Sequence, residues 1–234
     1  MILPIPLGRR LAAEAVGTGV LALALIGSGI QAAALSQDVG VQLLANTLAS
    51  VCTLGVLIAL LAPVSGAHLN PLVTAGVWWT GRGAPGALPG RQAAGYAAAQ
   101  LLGGIAGSVL AGLMFDTGTI GAARTGRSGP GVWTGELVAT AVLLLVVFGL
   151  GRAGRARYAP VAVAAWIAAG IWGTPSGSFA NPALTLARAV NDSFTGIAPA
   201  SVPGYLLGQL AGAALGLLLV RALFGPAGTE VTQA

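Results

Sequence analysis

Charge is what this chain lacks. Of its 234 residues only 7% are charged, against about 25% in an ordinary soluble domain. That is too little to cover a soluble globule of this length. Lysine is absent, and all eleven basic residues are arginine. The arginines stand singly or in twos and threes between apolar blocks. No basic run and no interleaved aromatic stretch accompanies the net charge of +5, so a nucleic-acid partner is excluded. Cys52 is alone. It has no partner for an intrachain disulfide and none for a cysteine metal site. No nucleophile–base set, phosphate loop or metal cluster is present, which argues against an enzyme and against a bound cofactor. What is abundant is apolar surface, at 56% of residues, together with 37 glycines. Disordered chains are poor in apolar residues. The class left is an integral membrane protein whose partner is the lipid bilayer.

A helix needs about 20 mainly apolar residues to cross the hydrocarbon core. Six stretches qualify, at roughly 11–34, 40–62, 91–114, 132–151, 158–175 and 203–224. The first exceeds the roughly 7–15 residues of a signal-peptide core and has no cleavage site after it, so it reads as a span. Two further apolar stretches, 63–81 and 176–191, are too short to cross. Each opens with small residues and then an Asn-Pro pair. Each reads as a re-entrant loop feeding a half-helix, which membrane depth tolerates only where backbone is buried in protein or lines an aqueous cavity.

Arginine placement orients the bundle. With the N-terminus inside, Arg9, Arg10, Arg82, Arg91, Arg152, Arg155, Arg157 and Arg221 fall on the inner side. Arg124, Arg127 and Arg188 fall outside. The asymmetry predicts both termini inside. The segment 116–131, rich in Gly, Thr and Arg, reads as an outer surface loop between two halves.

Those halves repeat. Glu14-Ala15-Val16-Gly17-Thr18 returns as Glu136-Leu137-Val138-Ala139-Thr140. Asn70-Pro71-Leu72-Val73-Thr74 returns as Asn181-Pro182-Ala183-Leu184-Thr185. Ala99-Gln100-Leu101-Leu102-Gly103 returns as Gly208-Gln209-Leu210-Ala211-Gly212. Three spans per half make the second half enter from the opposite side, an inverted repeat with its shared site near the midplane. The chain therefore reads as one channel domain over 1–234, with repeat 1 at 10–115, the outer loop at 116–131 and repeat 2 at 132–225.

The Asn-Pro pairs carry a mechanism. Asn is a strong N-cap and Pro is favoured at the first helical position. Inverted topology points the two half-helix N-termini at each other, each with about half a positive charge from its dipole. Together they oppose cations and protons. Each carboxamide can donate to a passing oxygen, which leaves that oxygen unable to relay a proton. The alternative, that each pair is only a turn, must also explain why both fall at matching places.

These residues resemble the aquaporin, or major intrinsic protein, family over nearly the whole chain. The carriers are Ser65-Gly66-Ala67-His68-Leu69-Asn70-Pro71-Leu72-Val73-Thr74, Phe179-Ala180-Asn181-Pro182-Ala183 and the paired Glu and Gln residues. The resemblance implies an all-α, aquaporin-like bundle of six transmembrane helices plus two re-entrant half-helices. It implies a homotetramer with one pore per subunit, carrying water and small neutral solutes passively across an inner, bacterial-type membrane.

Two positions depart from the family pattern. Leu72 stands where the first motif usually has Ala, a bulkier residue at the crossing of the half-helices. Leu184 stands where the family usually has a filter arginine. By family spacing the other filter positions are Ser50, Ala169, and Ser178 or Phe179. The filter then reads as small and apolar, wider than a water filter. Lacking the arginine, and with the run Leu184-Thr185-Leu186-Ala187-Arg188 after the motif, the chain looks like a bacterial branch linked with arsenic-resistance gene clusters. That implies passage of neutral trivalent arsenicals such as arsenite and methylarsenite. The alternatives are an ordinary water and glycerol channel, and a gradient-driven secondary transporter, which would need a coupling-ion site in the pathway.

Four residues after Leu184 lies Arg188, on roughly the same helix face one turn outward. It is a candidate for the pore mouth. It is equally placed to pair with Asp192 or to face outer headgroups. Glu14 and Glu136 are intramembrane carboxylates, costly and usually functional. A proton relay is one reading. The resemblance favours another, that each braces a re-entrant loop through backbone N–H groups, with His68, Gln100 and Gln209 bonding nearby. Glycine and alanine runs in the third and sixth spans imply close helix packing.

Overall fold

A computed structural model describes residues 5–116 and 118–225. Their regular structure is helical: α1 (Leu7–Leu35), α2 (Val39–Ser65), α3 (Pro71–Gly81), α4 (Gly90–Phe115), α5 (Pro130–Arg152), α6 (Ala159–Gly173), α7 (Pro182–Ala189) and α8 (Val202–Phe224). All six expected spans and both half-helices are present. Among the described residues five helices are long and apolar enough to cross a membrane. The exception is α6, with 15 residues. It measures about 22 Å at 1.5 Å per residue. The 3₁₀ turn Ala156–Tyr158 precedes it, and the second re-entrant loop leaves from its other end.

Both half-helices start as their residues dictate. Asn70 and Asn181 are extended, at φ −156° and −154°, and each Oδ1 caps its own helix. Asn70 accepts from the Leu72 amide at 2.9 Å, and Asn181 from Ala183 at 3.0 Å. Pro71 and Pro182 occupy the first helical position, where no amide hydrogen is needed.

Small residues set the helix contacts. A Cβ at Gly103 or Gly107 of α4 would collide with the carbonyl oxygens of Ala15 and Gly19 on α1. On α8, Gly208, Gly212 and Gly216 meet the carbonyls of Trp133, Leu137 and Ala141 on α5 in the same way. Backbone thus touches backbone in both halves, where lipid offers no hydrophobic drive and close packing supplies the attraction. Gly107→Ala should cost about 1–3 kcal/mol of stability through overpacking. Gly8→Ala, with nothing within 4 Å of the added methyl, should be close to neutral. Paired thermal melts in detergent check both.

The core is shared between the repeats. Ala67 and Leu69 of the first loop pack with Leu21, Leu57, Leu184 and Ala187. Ala180 of the second loop packs with Ile58, Ala139, Leu143 and Val163.

The segment 116–131 is not simply a surface loop, as its composition predicts. Its backbone is tied to the outer end of α7 and to the open segment 190–198. Ala123 donates to the Ala189 carbonyl at 3.0 Å, Asp192 to Thr119 at 2.7 Å, and Ala198 to Thr125 at 2.7 Å. Arg127 reaches the Gly196 carbonyl at 2.8 Å. The reason is backbone satisfaction. The open segment presents carbonyls and amides at the mouth that no helix pairs, and the connection pairs them.

Candidate permeation pathway

The two loops enter the membrane through left-handed backbone. Gly66 and Gly177 lie at φ 93° and 75°, and Ala67, Leu69, Ser178 and Ala180 at 47–50°. Non-glycine residues hold such angles only where surroundings over-determine them. Here the surroundings are the two glutamates. Glu14 accepts from the Ser65 hydroxyl at 2.6 Å, the amides of His68 and Leu69 at 3.0 and 2.7 Å, and Gln100 Nε2 at 2.8 Å. Glu136 accepts from the amides of Phe179 and Ala180, both at 2.9 Å, and from Gln209 Nε2 at 2.7 Å. Both carboxylates are fully buried, and neither lines the central cavity. That geometry holds a loop and keeps both carboxylates off the pathway.

Each brace extends to its half-helix. Gln100 Nε2 also donates to Thr74 Oγ1 at 2.9 Å, and Gln209 Nε2 to Thr185 Oγ1 at 2.8 Å. The two threonine hydroxyls donate to the carbonyls of Asn70 and Asn181. Two tyrosines complete the pattern. The Tyr96 hydroxyl donates to the Ser65 carbonyl at 2.9 Å and that of Tyr205 to the Ser176 carbonyl at 3.0 Å. Sequence reasoning missed Tyr96, Tyr205, Ser65 and Ser176 as parts of the repeat. The signal was available: each tyrosine stands four residues before its glutamine, each serine five before its asparagine.

The halves interlock at the asparagines. Asn70 Nδ2 donates to the Ala180 carbonyl at 2.7 Å, and Asn181 Nδ2 to the Leu69 carbonyl at 2.8 Å. Each carboxamide has two amide hydrogens. One is spent across the repeat. The other remains for the cavity that both asparagines line.

That cavity has a volume of about 750 Å³. Along α2 its wall is the i, i+4 series Asn46, Ser50, Leu54 and Ile58, and along α6 it is Ala159, Val163, Ile167 and Ile171. Asn70 and Asn181 both line it, as do His68 and Val77. Those two residues also border a second cavity of about 420 Å³, with Arg10 and Gln92 at its rim. The two cavities therefore adjoin. His68 sits at the junction, Nδ1 3.1 Å from Thr74 Oγ1 and its ring 5.2 Å from that of Tyr96.

The filter positions fall unevenly. Ser50, Ser178, Phe179 and Leu184 line the cavity. The Ser50 hydroxyl is buried without a protein partner. Ser178 packs against Gly170. Ala169 is a correction: it is exposed on the outside of α6, and Ile167 and Ile171 face the cavity in its place. Two residues on a helix are separated by about 200°, so a loop two residues shorter than assumed moves the wall position to Ile171. Leu72 is buried and lies off the cavity. Cys52 is exposed on the outer surface of α2.

Arg188 does not pair with Asp192. That carboxylate takes the Arg124 amide at 2.9 Å and Arg124 Nε at 2.6 Å, and these bonds, the backbone one first, hold its pKa below the ordinary aspartate value. Nor does Arg188 face headgroups. It is buried, it lines the cavity, and its Nε donates to the Thr195 carbonyl at 2.5 Å. Its guanidinium lies 3.2 Å from the Phe179 ring centre. Arg127 lines the same mouth, its guanidinium 5.7 Å from that ring centre. Sequence reasoning gave Arg127 no such role, because only the folding back of 116–131 brings it there.

Comparison with known proteins agrees with this geometry. The family profile described as major intrinsic protein matches residues 4–172. Aquaglyceroporin AqpS of Rhizobium meliloti is 42% identical over 227 residues, covering 97% of this chain and 95% of that protein. Aquaporin AqpM of Methanothermobacter marburgensis is 34% identical over 179 residues, 70% of each chain. The X-ray structure of the aquaglyceroporin from Plasmodium falciparum superposes with a TM-score of 0.63 at 21% identity, covering 95% of this chain and 97% of that one, which speaks to fold alone. On residues, fold and pathway together, this integral membrane protein belongs to the major intrinsic protein family of passive channels.

Proposed function

We propose that this protein is a bacterial inner-membrane channel with a wide, largely apolar filter that passes water, glycerol-like solutes and neutral trivalent arsenicals. The observation that carries the reading is the lining at and around residue 184. Leu184, Ser50, Ile167 and Ile171 line the same cavity. Such a wall narrows the path less than a guanidinium and does not demand that a solute present many hydrogen-bond acceptors. Arsenite at neutral pH is an uncharged trihydroxy solute, polyol-like in shape, and methylarsenite is more apolar. The free amide hydrogens of Asn70 and Asn181 offer two donors midway.

The site assignments follow this reading. Asn70-Pro71-Leu72 and Asn181-Pro182-Ala183 are the two pore motifs, and they bring Asn70 and Asn181 to the pathway. Glu14, Glu136, Gln100, Gln209 and His68 hold the loops. The chain is one channel domain with both termini inside, and four copies assemble with one pathway each. A coupled transporter is disfavoured because no carboxylate lines either cavity among the described residues.

Swelling of proteoliposomes with water, glycerol, arsenite and methylarsenite side by side tests the reading. All four should pass, without dependence on a proton or sodium gradient. Fast water flow with arsenite excluded would overturn the arsenical assignment. Gradient-dependent uptake would overturn the channel assignment.

Cation exclusion depends on Arg188 in this scheme. With no arginine at 184, the fixed charge at the filter comes from Arg188, whose guanidinium lies 3.2 Å from the Phe179 ring centre. Arg188→Ala should raise sodium leak through the channel by about tenfold, equivalent to about 1.4 kcal/mol of barrier. Vesicle sodium flux checks it, and an unchanged leak would remove that role.

A further inference from the structure

The outer mouth holds more positive charge than a barrier to cations needs. Arg188 and Arg127 both line it, and both lie over the ring of Phe179. They are close enough to repel one another. Among the described residues no carboxylate lines this mouth. Glu14 and Glu136 are committed to the loops, Asp192 to Arg124 and Asp38 to the first turn of α2, and Asp116, at the end of α4, does not line the cavity.

Both side chains are fixed yet hold unused donors. A guanidinium carries five N–H donors in a planar fork. Arg188 is 8% exposed and makes one hydrogen bond, from Nε to Thr195. Arg127 uses Nε on Gly196 and one terminal nitrogen on Phe194, and the Tyr205 hydroxyl adjoins it. The remaining donors of Arg188 have no protein partner among the described residues, and both forks adjoin the cavity. Two ordered forks without a counter-charge, in a partly desolvated mouth, match the oxygens of a small oxyanion.

We infer that this mouth docks one small oxyanion between Arg188 and Arg127, and that the docked anion occludes the pathway. The anion stops there because Leu184 lies one helical turn inward of Arg188, and Leu21, Leu54 and Ile167 line the same cavity. Against that wall an ion loses hydration with no hydrogen bonds in return. Neutral solutes meet a much smaller penalty. The block rests on the channel reading above. The dock itself needs only the two arginines.

Inorganic phosphate is the probe. Calorimetric titration of the detergent-purified protein should show one saturable site. Glycerol flux in proteoliposomes with phosphate on both faces should fall by at least half over the same concentration range. R127Q and R188Q should each weaken binding by about tenfold and relieve the block, with R188K falling between. R82Q, at the opposite end and outside the cavity, should bind as the parent does. Melting temperatures identify any variant that fails to fold, and R127Q with R188K then decides. Absence of a saturable site, or binding unchanged in both Gln variants, overturns the dock. Binding only to vesicles containing an anionic phospholipid, with none to free phosphate, also overturns it in favour of a lipid site. Phosphate binding with no glycerol flux in any condition would leave the dock standing and refute the channel reading. Binding with flux indifferent to phosphate would refute the occlusion.

Discussion

Glu136→Ala should lower the melting temperature of the detergent-solubilised protein sharply and abolish solute flux. The carboxylate is the acceptor for the buried amides of Phe179 and Ala180 and for Gln209 Nε2. A buried donor left unpaired costs about 1–3 kcal/mol. Two amides alone put the loss at about 2–6 kcal/mol, a large part of the stability of a typical domain. The loop also carries Ser178 and Ala180 in left-handed backbone, which relaxes once the acceptor is gone. The same relaxation moves the Ala180 carbonyl away from Asn70 Nδ2, and the loop, no longer held off the pathway, collapses into it. Glu136→Gln should fall between parent and alanine variant. It keeps one acceptor oxygen and turns the other into a donor facing an N–H. A melting temperature and flux unchanged in Glu136→Ala would refute the bracing role.

Leu184→Arg should suppress glycerol and arsenical flux by about tenfold or more, equivalent to about 1.4 kcal/mol of barrier per decade, while water still passes. Leu184 is on the cavity wall. Its replacement by a guanidinium narrows the cavity that Ser50 and Ile171 also line. The new charge would lie four residues from Arg188 on the same helix face, where like charges repel. The new side chain therefore extends inward across the path rather than outward along it. Larger solutes should be lost first because section falls faster than polarity changes. Solute-by-solute swelling rates read the outcome. A glycerol-to-water rate ratio unchanged from the parent would refute the wide-filter assignment.

Much of this architecture is legible in residue order. The two Asn-Pro pairs announce helix starts too close to their neighbours to belong to full spans, and α3 and α7 begin there. Glu14 and Glu136 are conspicuous because a carboxylate in an apolar run needs a reason. The pore face of α6 is not legible. Val163, Ile167 and Ile171 look no different from residues that face lipid, since a membrane helix is apolar all round. Only tertiary packing tells the two faces apart, so counting back from Asn181 lands on Ala169, on the wrong side. Arg127 is hidden for another reason. Its position depends on a segment whose backbone bonds run to residues about 70 places away, and no local pattern encodes them.

The exchanged bonds of the asparagines have a consequence for the order in which the protein is made. The glutamate braces act within one half: Glu14 serves residues 65–100, and Glu136 serves residues 179–209. The asparagine amides do not, because each ends on the opposite loop. When the ribosome has delivered only the first half, Asn70 and the Leu69 carbonyl both await partners that have not yet been synthesised. The first loop is then braced and incomplete, a socket held open. Arrival of residues 180 and 181 fills it and completes the second loop in the same event. Insertion of the two halves is thus sequential, but closure of the constriction is simultaneous, and a chain stopped before Ala180 has no constriction.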